Sequence, residues 1–111
     1  ESTIKSVFND NKTTFQTTAE FMIESISCEK PTLPKGKCSV KSLTENDVCK
    51  PVKKELEELE RRNITYIDCD GLTVKFYTIY DYYYVYYSPL SSAGVEDNLS
   101  NGWSYVKTSK S

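Results

Sequence analysis

Residues 77–87 constrain the fold of this chain more than any other segment, because they are dense in tyrosine. The run YTIYDYYYVYY holds seven of the nine tyrosines in the chain. Tyrosine is enriched in β-strands, where successive side chains point to opposite faces of the sheet. Alternation places Tyr83, Val85 and Tyr87 on one face and Tyr82, Tyr84 and Tyr86 on the other. A fold for this chain therefore needs a sheet with aromatic side chains on both faces.

The second half of the chain predicts an antiparallel β-meander around this run. Strands are expected at 64–69, 72–80, 82–88 and 103–108. The dipeptides Asp70-Gly71 and Asn101-Gly102 are turn signals between strands. Within the second strand, Leu72, Val74 and Phe76 are expected to face the core, and Thr73, Lys75, Tyr77 and Ile79 the opposite side.

The first half predicts one or two helices. A helix over 14–27 follows from the helical spacing of Phe15, Ala19, Met22 and Ile26. The many threonines and serines of that segment also suit a strand, so both interpretations stay open there. A second helix is predicted over 51–62, where Pro51 suits the first helical position and apolar residues form one stripe. Residues 29–50 are expected to form a loop with a short turn.

The four cysteines, Cys28, Cys38, Cys49 and Cys69, indicate a two-disulfide framework. Zinc sites usually draw cysteines in close pairs, whereas the gaps here are nine, ten and nineteen residues. A helix over 51–62 and a returning strand bring Cys69 back towards Cys49. This geometry favours the pairs Cys28–Cys38 and Cys49–Cys69, and the other two connectivities stay open. The expected fold class is α+β, a small disulfide-stabilised domain with one or two helices packed on an antiparallel β-meander.

Three N-glycosylation sequons, at Asn11, Asn63 and Asn98, indicate the same oxidising compartment. Together with the cysteines they predict a secreted or extracellular glycoprotein. The chain begins at Glu1 without a methionine, as a mature or excised form would. Its 111 residues suit one extracellular domain, with 107–111 as a flexible tail.

Composition argues against several classes of function. A formal net charge of −2 lacks the basic surplus of a nucleic-acid binder. No apolar run reaches the ~20 residues of a membrane span. Histidine is absent, so the usual activator of a serine nucleophile is missing. The carboxylates of Asp68 and Asp70 suit solvated turn residues better than a catalytic pair. We therefore expect no enzyme activity, no cofactor and no metal.

The tyrosines are the candidate functional residues. If helices cover one face of the sheet, Tyr77, Tyr82, Tyr84 and Tyr86 stand on the uncovered side. Contiguous aromatic surface is typical of protein interfaces, which predicts another extracellular protein as the partner. The lysine, asparagine, isoleucine and tyrosine bias is typical of AT-rich coding and favours a pathogen-derived inhibitor or modulator of host proteins. One alternative is a small-molecule carrier with a tyrosine-lined pocket. Another is cross-strand packing that only stabilises the sheet.

Overall fold

A helical layer covers one face of an antiparallel sheet in the computed structural model, which describes residues 3–79, 83–90 and 98–107. The helices are α1 (Thr3–Asp10), α2 (Lys12–Ser27), α3 (Val40–Thr44) and α4 (Lys53–Arg61), with a 3₁₀ segment at Asp47–Val52. The strands are β1 (Gly36–Ser39), β2 (Ile64–Cys69), β3 (Val74–Thr78), β4 (Tyr83–Tyr87), β5 (Asn98–Ser100) and β6 (Trp103–Lys107). The α+β class is thus confirmed.

The sheet differs from a simple meander at its C-terminal end. Its strand order is β1-β2-β3-β4-β6-β5, with antiparallel neighbours throughout. The last strand therefore lies between β4 and β5. The turn predicted at Asn101-Gly102 joins β5 to β6, and Gly102 adopts a φ of +84° there. Sequence alternation missed β5 because it is only three residues long.

The helical layer is longer than predicted. Of the two interpretations for 14–27, the helix is correct, since α2 spans Lys12–Ser27. Helix α1 was not predicted, although Ile4 and Phe8 are one turn apart and both are fully buried. Asn11 separates the two helices, and its side-chain amide donates to the Val7 carbonyl at 2.9 Å.

The prediction of a loop over 29–50 was wrong in part. Strand β1 pairs with β2, and α3 follows it directly. The Ser39 side chain caps α3 by accepting from the Ser42 amide at 3.1 Å. Pro51 lies in the 3₁₀ segment rather than at the start of α4. Pairing with β2 decides the conformation of β1, because the sequence GKCS carries no apolar alternation of its own.

Aromatic rings join the helical layer to the inner face of the sheet. The Phe8 and Trp103 centroids are 4.8 Å apart, and those of Phe15 and Phe76 are 4.9 Å apart. All four side chains are almost completely buried. Aromatic pairs at such distances contribute about 0.5–1.5 kcal/mol beyond the area that they bury. These four rings therefore fix which face of the sheet the helices cover.

Leu72 does not join this core, and the expectation that it would was wrong. Its side chain is 62% exposed, whereas Val74 and Phe76 are buried as predicted. One Asp70 carboxylate oxygen accepts from the backbone amides of Leu72 and Thr73, at 2.9 and 2.8 Å. These bonds hold Leu72 in the loop between β2 and β3, so that β3 begins only at Val74.

One partly buried polar junction ties α2 to the sheet. The Gln16 side-chain oxygen accepts from the Trp103 indole nitrogen at 2.7 Å. The Gln16 amide donates to the Tyr87 hydroxyl at 3.0 Å. Because Trp103 is only 1% exposed, its N–H depends on this partner.

Replacing Gln16 by alanine is expected to lower the free energy of unfolding by about 1–3 kcal/mol, since it leaves a buried donor without an acceptor. Urea unfolding followed by tryptophan fluorescence measures the change. Glu20→Ala is the control, because Glu20 bonds the same amide from an exposed position. Unchanged stability of Gln16→Ala would show that the junction contributes nothing.

Candidate functional site

Strand register builds the outer face of the sheet from two parallel rows of side chains. Across β1 to β4, one row runs Lys37, Asp68, Lys75, Tyr86. The adjacent row runs Ser39, Tyr66, Tyr77, Tyr84. The rows share one side because the alternate residues Ile67, Phe76 and Val85 are completely buried beneath the helices. We call the set Lys37, Tyr66, Asp68, Lys75, Tyr77, Tyr84 and Tyr86 the tyrosine–lysine face.

Five side chains of this face contact one another through their rings and ammonium groups. The Tyr77 and Tyr84 rings have centroids 5.1 Å apart. The Lys37 ammonium lies 4.6 Å from the Tyr66 centroid and 5.1 Å from that of Tyr77. The Lys75 ammonium lies 5.5 Å from the Tyr84 centroid. Such cation–π contacts hold long lysine side chains against the rings at about 0.5–1 kcal/mol each on an exposed surface.

The face presents neutral hydroxyls and positive charge together. Burial raises the pKa of Tyr77, and the negative charge of Asp68 and then the neighbouring Tyr84 raise it further. The Tyr77 hydroxyl therefore keeps its proton near neutral pH and is able to donate a hydrogen bond. Tyr66 is 38% exposed, and Tyr77, Tyr84 and Tyr86 are half-buried, so their edges and hydroxyls are reachable.

Three of the four predicted binding tyrosines lie together on this face. These are Tyr77, Tyr84 and Tyr86, while Tyr82 lies outside the described residues. Tyr66 was missed although alternation could have found it, since Ile67 and Cys69 are buried and Tyr66 and Asp68 alternate with them. The register shift between Ile64 and Tyr66 instead accounts for Ile64, which is buried where strict alternation would put it on the outer face.

The four cysteines are free thiols in this structure, so disulfide stabilisation stays a prediction. Cys69 is buried next to the core, and desolvation raises its pKa to about 11. Burial also raises the pKa of Cys49. Cys38 lies close enough to both that its charge adds to each rise. Cys28 is exposed at the end of α2, where its thiol contacts the Lys30 carbonyl at 3.2 Å.

The sequons differ in accessibility. Asn63 is exposed just after α4, in a left-handed conformation with φ of +69°. Asn11 is half-buried, and its amide is engaged with the Val7 carbonyl. The side chain of Asn98 lies outside the description. Asn63 is therefore the better placed of the two described acceptors.

The two carboxylates weighed as a catalytic pair lie in different surroundings. Asp70 accepts turn hydrogen bonds from the backbone, which lower its pKa, whereas Asp68 lies on the outer face. Glu45 lines a cleft of about 290 Å³ between α3 and α4, whose other lining residues are Thr44, Asn46, Asp47, Lys50, Lys53 and Glu57.

The lining of this cleft is polar and charged, so it differs from the tyrosine-lined pocket that a carrier would need. A second cleft, of about 450 Å³, is lined by Asn11, Thr14, Lys54, Glu55, Glu57, Glu58 and Arg61. No tyrosine lines either one. Within the described ranges, no group of three or more potential ligands is arranged to hold a metal ion. None of the described helices combines the length and the apolar character needed to span a bilayer.

No protein-family model matches the chain, and no curated protein or solved structure matches it either.

Replacing Asp68 by asparagine is expected to lower the pKa of Tyr77, because it removes the negative charge that disfavours the phenolate. NMR titration of ring-labelled tyrosine, assigned through Tyr77→Phe, measures the shift. Glu60→Gln, on the exposed side of α4, is the charge-matched control. A Tyr77 pKa that is equal in Asp68→Asn and wild type would contradict the arrangement of the face.

Fully reduced protein is expected to lose stability above pH 9.0, because the folded state holds the Cys69 proton up to a pKa of about 11. The stability that the buried Cys69 thiol contributes is fully present below the pKa of the unfolded state. About 2–3 kcal/mol of it is lost as the pH rises through the pKa of the folded state. Chemical unfolding across that window, compared with Cys69→Ala, measures the loss. Identical pH dependence in the two proteins would contradict burial of the thiol.

Proposed function

We propose that this chain is a secreted or extracellular glycoprotein module that binds another protein through the tyrosine–lysine face. The observation that carries the proposal is the uncovered face itself, with four tyrosines in adjoining rows on three consecutive strands. Tyrosine gives a binding surface large area, few rotatable bonds and a polar tip. In this proposal the chain acts by binding and not by catalysis.

The rigidity of the platform supports binding over a purely structural role. Each tyrosine stands on a strand that is hydrogen-bonded to neighbours on both sides. Cation–π and ring contacts already restrict Tyr66, Tyr77 and Tyr84 before any partner arrives. Restricted side chains lose less entropy on association, so more of the contact energy contributes to affinity.

The proposed compartment rests on the cysteines and sequons. Register puts Cys38 opposite Ile67 and Cys69 opposite Gly36, which makes the two cysteines diagonal neighbours. Diagonal positions are about 7–8 Å apart, beyond the usual Cα spacing of roughly 4.4–6.8 Å in disulfides. This spacing argues against Cys38–Cys69 and leaves two connectivities, of which our proposal keeps Cys49–Cys69 with Cys28–Cys38. Asn63 is the primary glycan acceptor in this proposal.

The biological role that we propose is inhibition or modulation of host proteins by a pathogen-derived factor. Its support is the residue bias, rich in lysine, asparagine, isoleucine and tyrosine. A small rigid domain with one open aromatic face suits blocking of a target surface, since it requires no moving part.

Replacing Tyr84 by alanine is expected to weaken partner binding by more than about 1 kcal/mol while the fold survives, because interface tyrosines commonly contribute that much. Wild-type and variant proteins, secreted from eukaryotic cells, are used as baits in extracellular fluid, and captured proteins are quantified by mass spectrometry. Leu90→Ala is the control, since Leu90 is 85% exposed and lies off the face. A partner retained equally by Tyr84→Ala would rule out this face as its site.

A further inference from the structure

The tyrosine–lysine face is positively charged in a chain whose overall charge is negative. Among the residues that the structure describes, it carries Lys37 and Lys75 against one carboxylate, that of Asp68. The whole chain has a formal net charge of −2. The sign of the face is therefore opposite to that of the rest of the molecule, which is the pattern expected of a surface that selects a partner by charge.

The two lysines of the face contact tyrosine rings and no described carboxylate. In the part of the chain that the structure describes, neither Lys37 nor Lys75 forms an ion pair. Their ammonium groups lie over tyrosine rings instead, at 4.6 to 5.5 Å from the ring centroids. A ring attracts the cation but does not accept the three hydrogen bonds that an ammonium donates. A carboxylate from another molecule would accept them.

Register fixes the spacing of the two charges. Lys37 and Lys75 occupy one row, on β1 and β3, with Asp68 between them on β2. Two strand spacings separate their backbones by about 10 Å. Both lysine side chains extend towards the adjacent row of tyrosines. Their ammonium groups therefore lie over the rings of Tyr66, Tyr77 and Tyr84.

We propose that the protein partner presents an acidic surface to this face, with carboxylates that pair with Lys37 and Lys75 and apolar side chains between them that pack on the tyrosines. The tyrosine hydroxyls donate to the same carboxylates, and Asp68 accepts from a donor of the partner. This inference rests on the proposed function, because it specifies the chemistry of the partner that binds the face.

A random linear peptide library displayed on phage is the probe for this proposal. Selection is carried out on the full glycosylated chain. The expected clones are enriched in aspartate and glutamate over the input library. Their binding weakens with added salt and falls about tenfold or more in the double variant Lys37→Gln/Lys75→Gln, since rim charges control association and its salt dependence.

The matched control is Lys53→Gln/Lys54→Gln, which removes two positive charges from exposed positions on α4. It should bind the selected clones as wild type does, and thermal unfolding should show both double variants folded. Equal loss of binding in both would indicate a general charge effect and would overturn the proposal.

The remaining outcomes separate this inference from the proposed function. Clones that require Tyr84 but are neither acidic nor sensitive to the lysines would overturn the acidic partner and leave protein binding at the face intact. Clones that ignore Tyr84, or no clones at all, would contradict the binding face itself. Lysine-dependent binding of heparin or of phosphatidylserine vesicles, without acidic clones, would replace the protein partner by a polyanion or a membrane surface.

Discussion

The fold depends on the alternation of β4, a strand with aromatic side chains on both of its faces. Helices are able to cover only one of these faces. Val85 and Tyr87 are buried on the helix-covered side, where the Tyr87 ring contacts that of Trp103, while Tyr84 and Tyr86 remain on the other side. The same periodicity that builds the core therefore also builds the exposed aromatic surface. A one-residue slip would exchange the two sets, so register is strongly specified here.

Much of the sheet could be predicted from the sequence, because its signal is local alternation. A period of two predicts the central parts of the strands around Ile67, Phe76 and Val85. It also predicts that Tyr77, Tyr84 and Tyr86 share one face. Tyr66 also follows from alternation with the buried Ile67 and Cys69, although it was not predicted. Strand β1 depends on a contact between distant segments, since pairing with β2 determines its conformation.

Local hydrogen bonding explains the remaining differences. Asp70 holds Leu72 in a loop that apolar patterning alone would extend into β3. Lys37, which contributes positive charge to the face, lies in a segment whose sequence resembles a loop. Lys75 and the tyrosines of β3 and β4 were thus visible in the sequence, whereas the position of Lys37 on the face required the topology. This difference has a physical reason. The alternation of a strand is encoded within one segment of the sequence, whereas the identity of its cross-strand neighbours is not.

The most direct test of the central claim is site-specific photo-crosslinking from the face. A photoreactive phenylalanine analogue is incorporated at Tyr84 or Tyr86, and at Glu60 on α4 for comparison, and the secreted protein is irradiated in extracellular fluid. The account predicts one discrete protein adduct from positions 84 and 86 that is absent from position 60. Adducts that are equally abundant at all three positions, or that form only from α4, would contradict a binding surface on the outer face of the sheet.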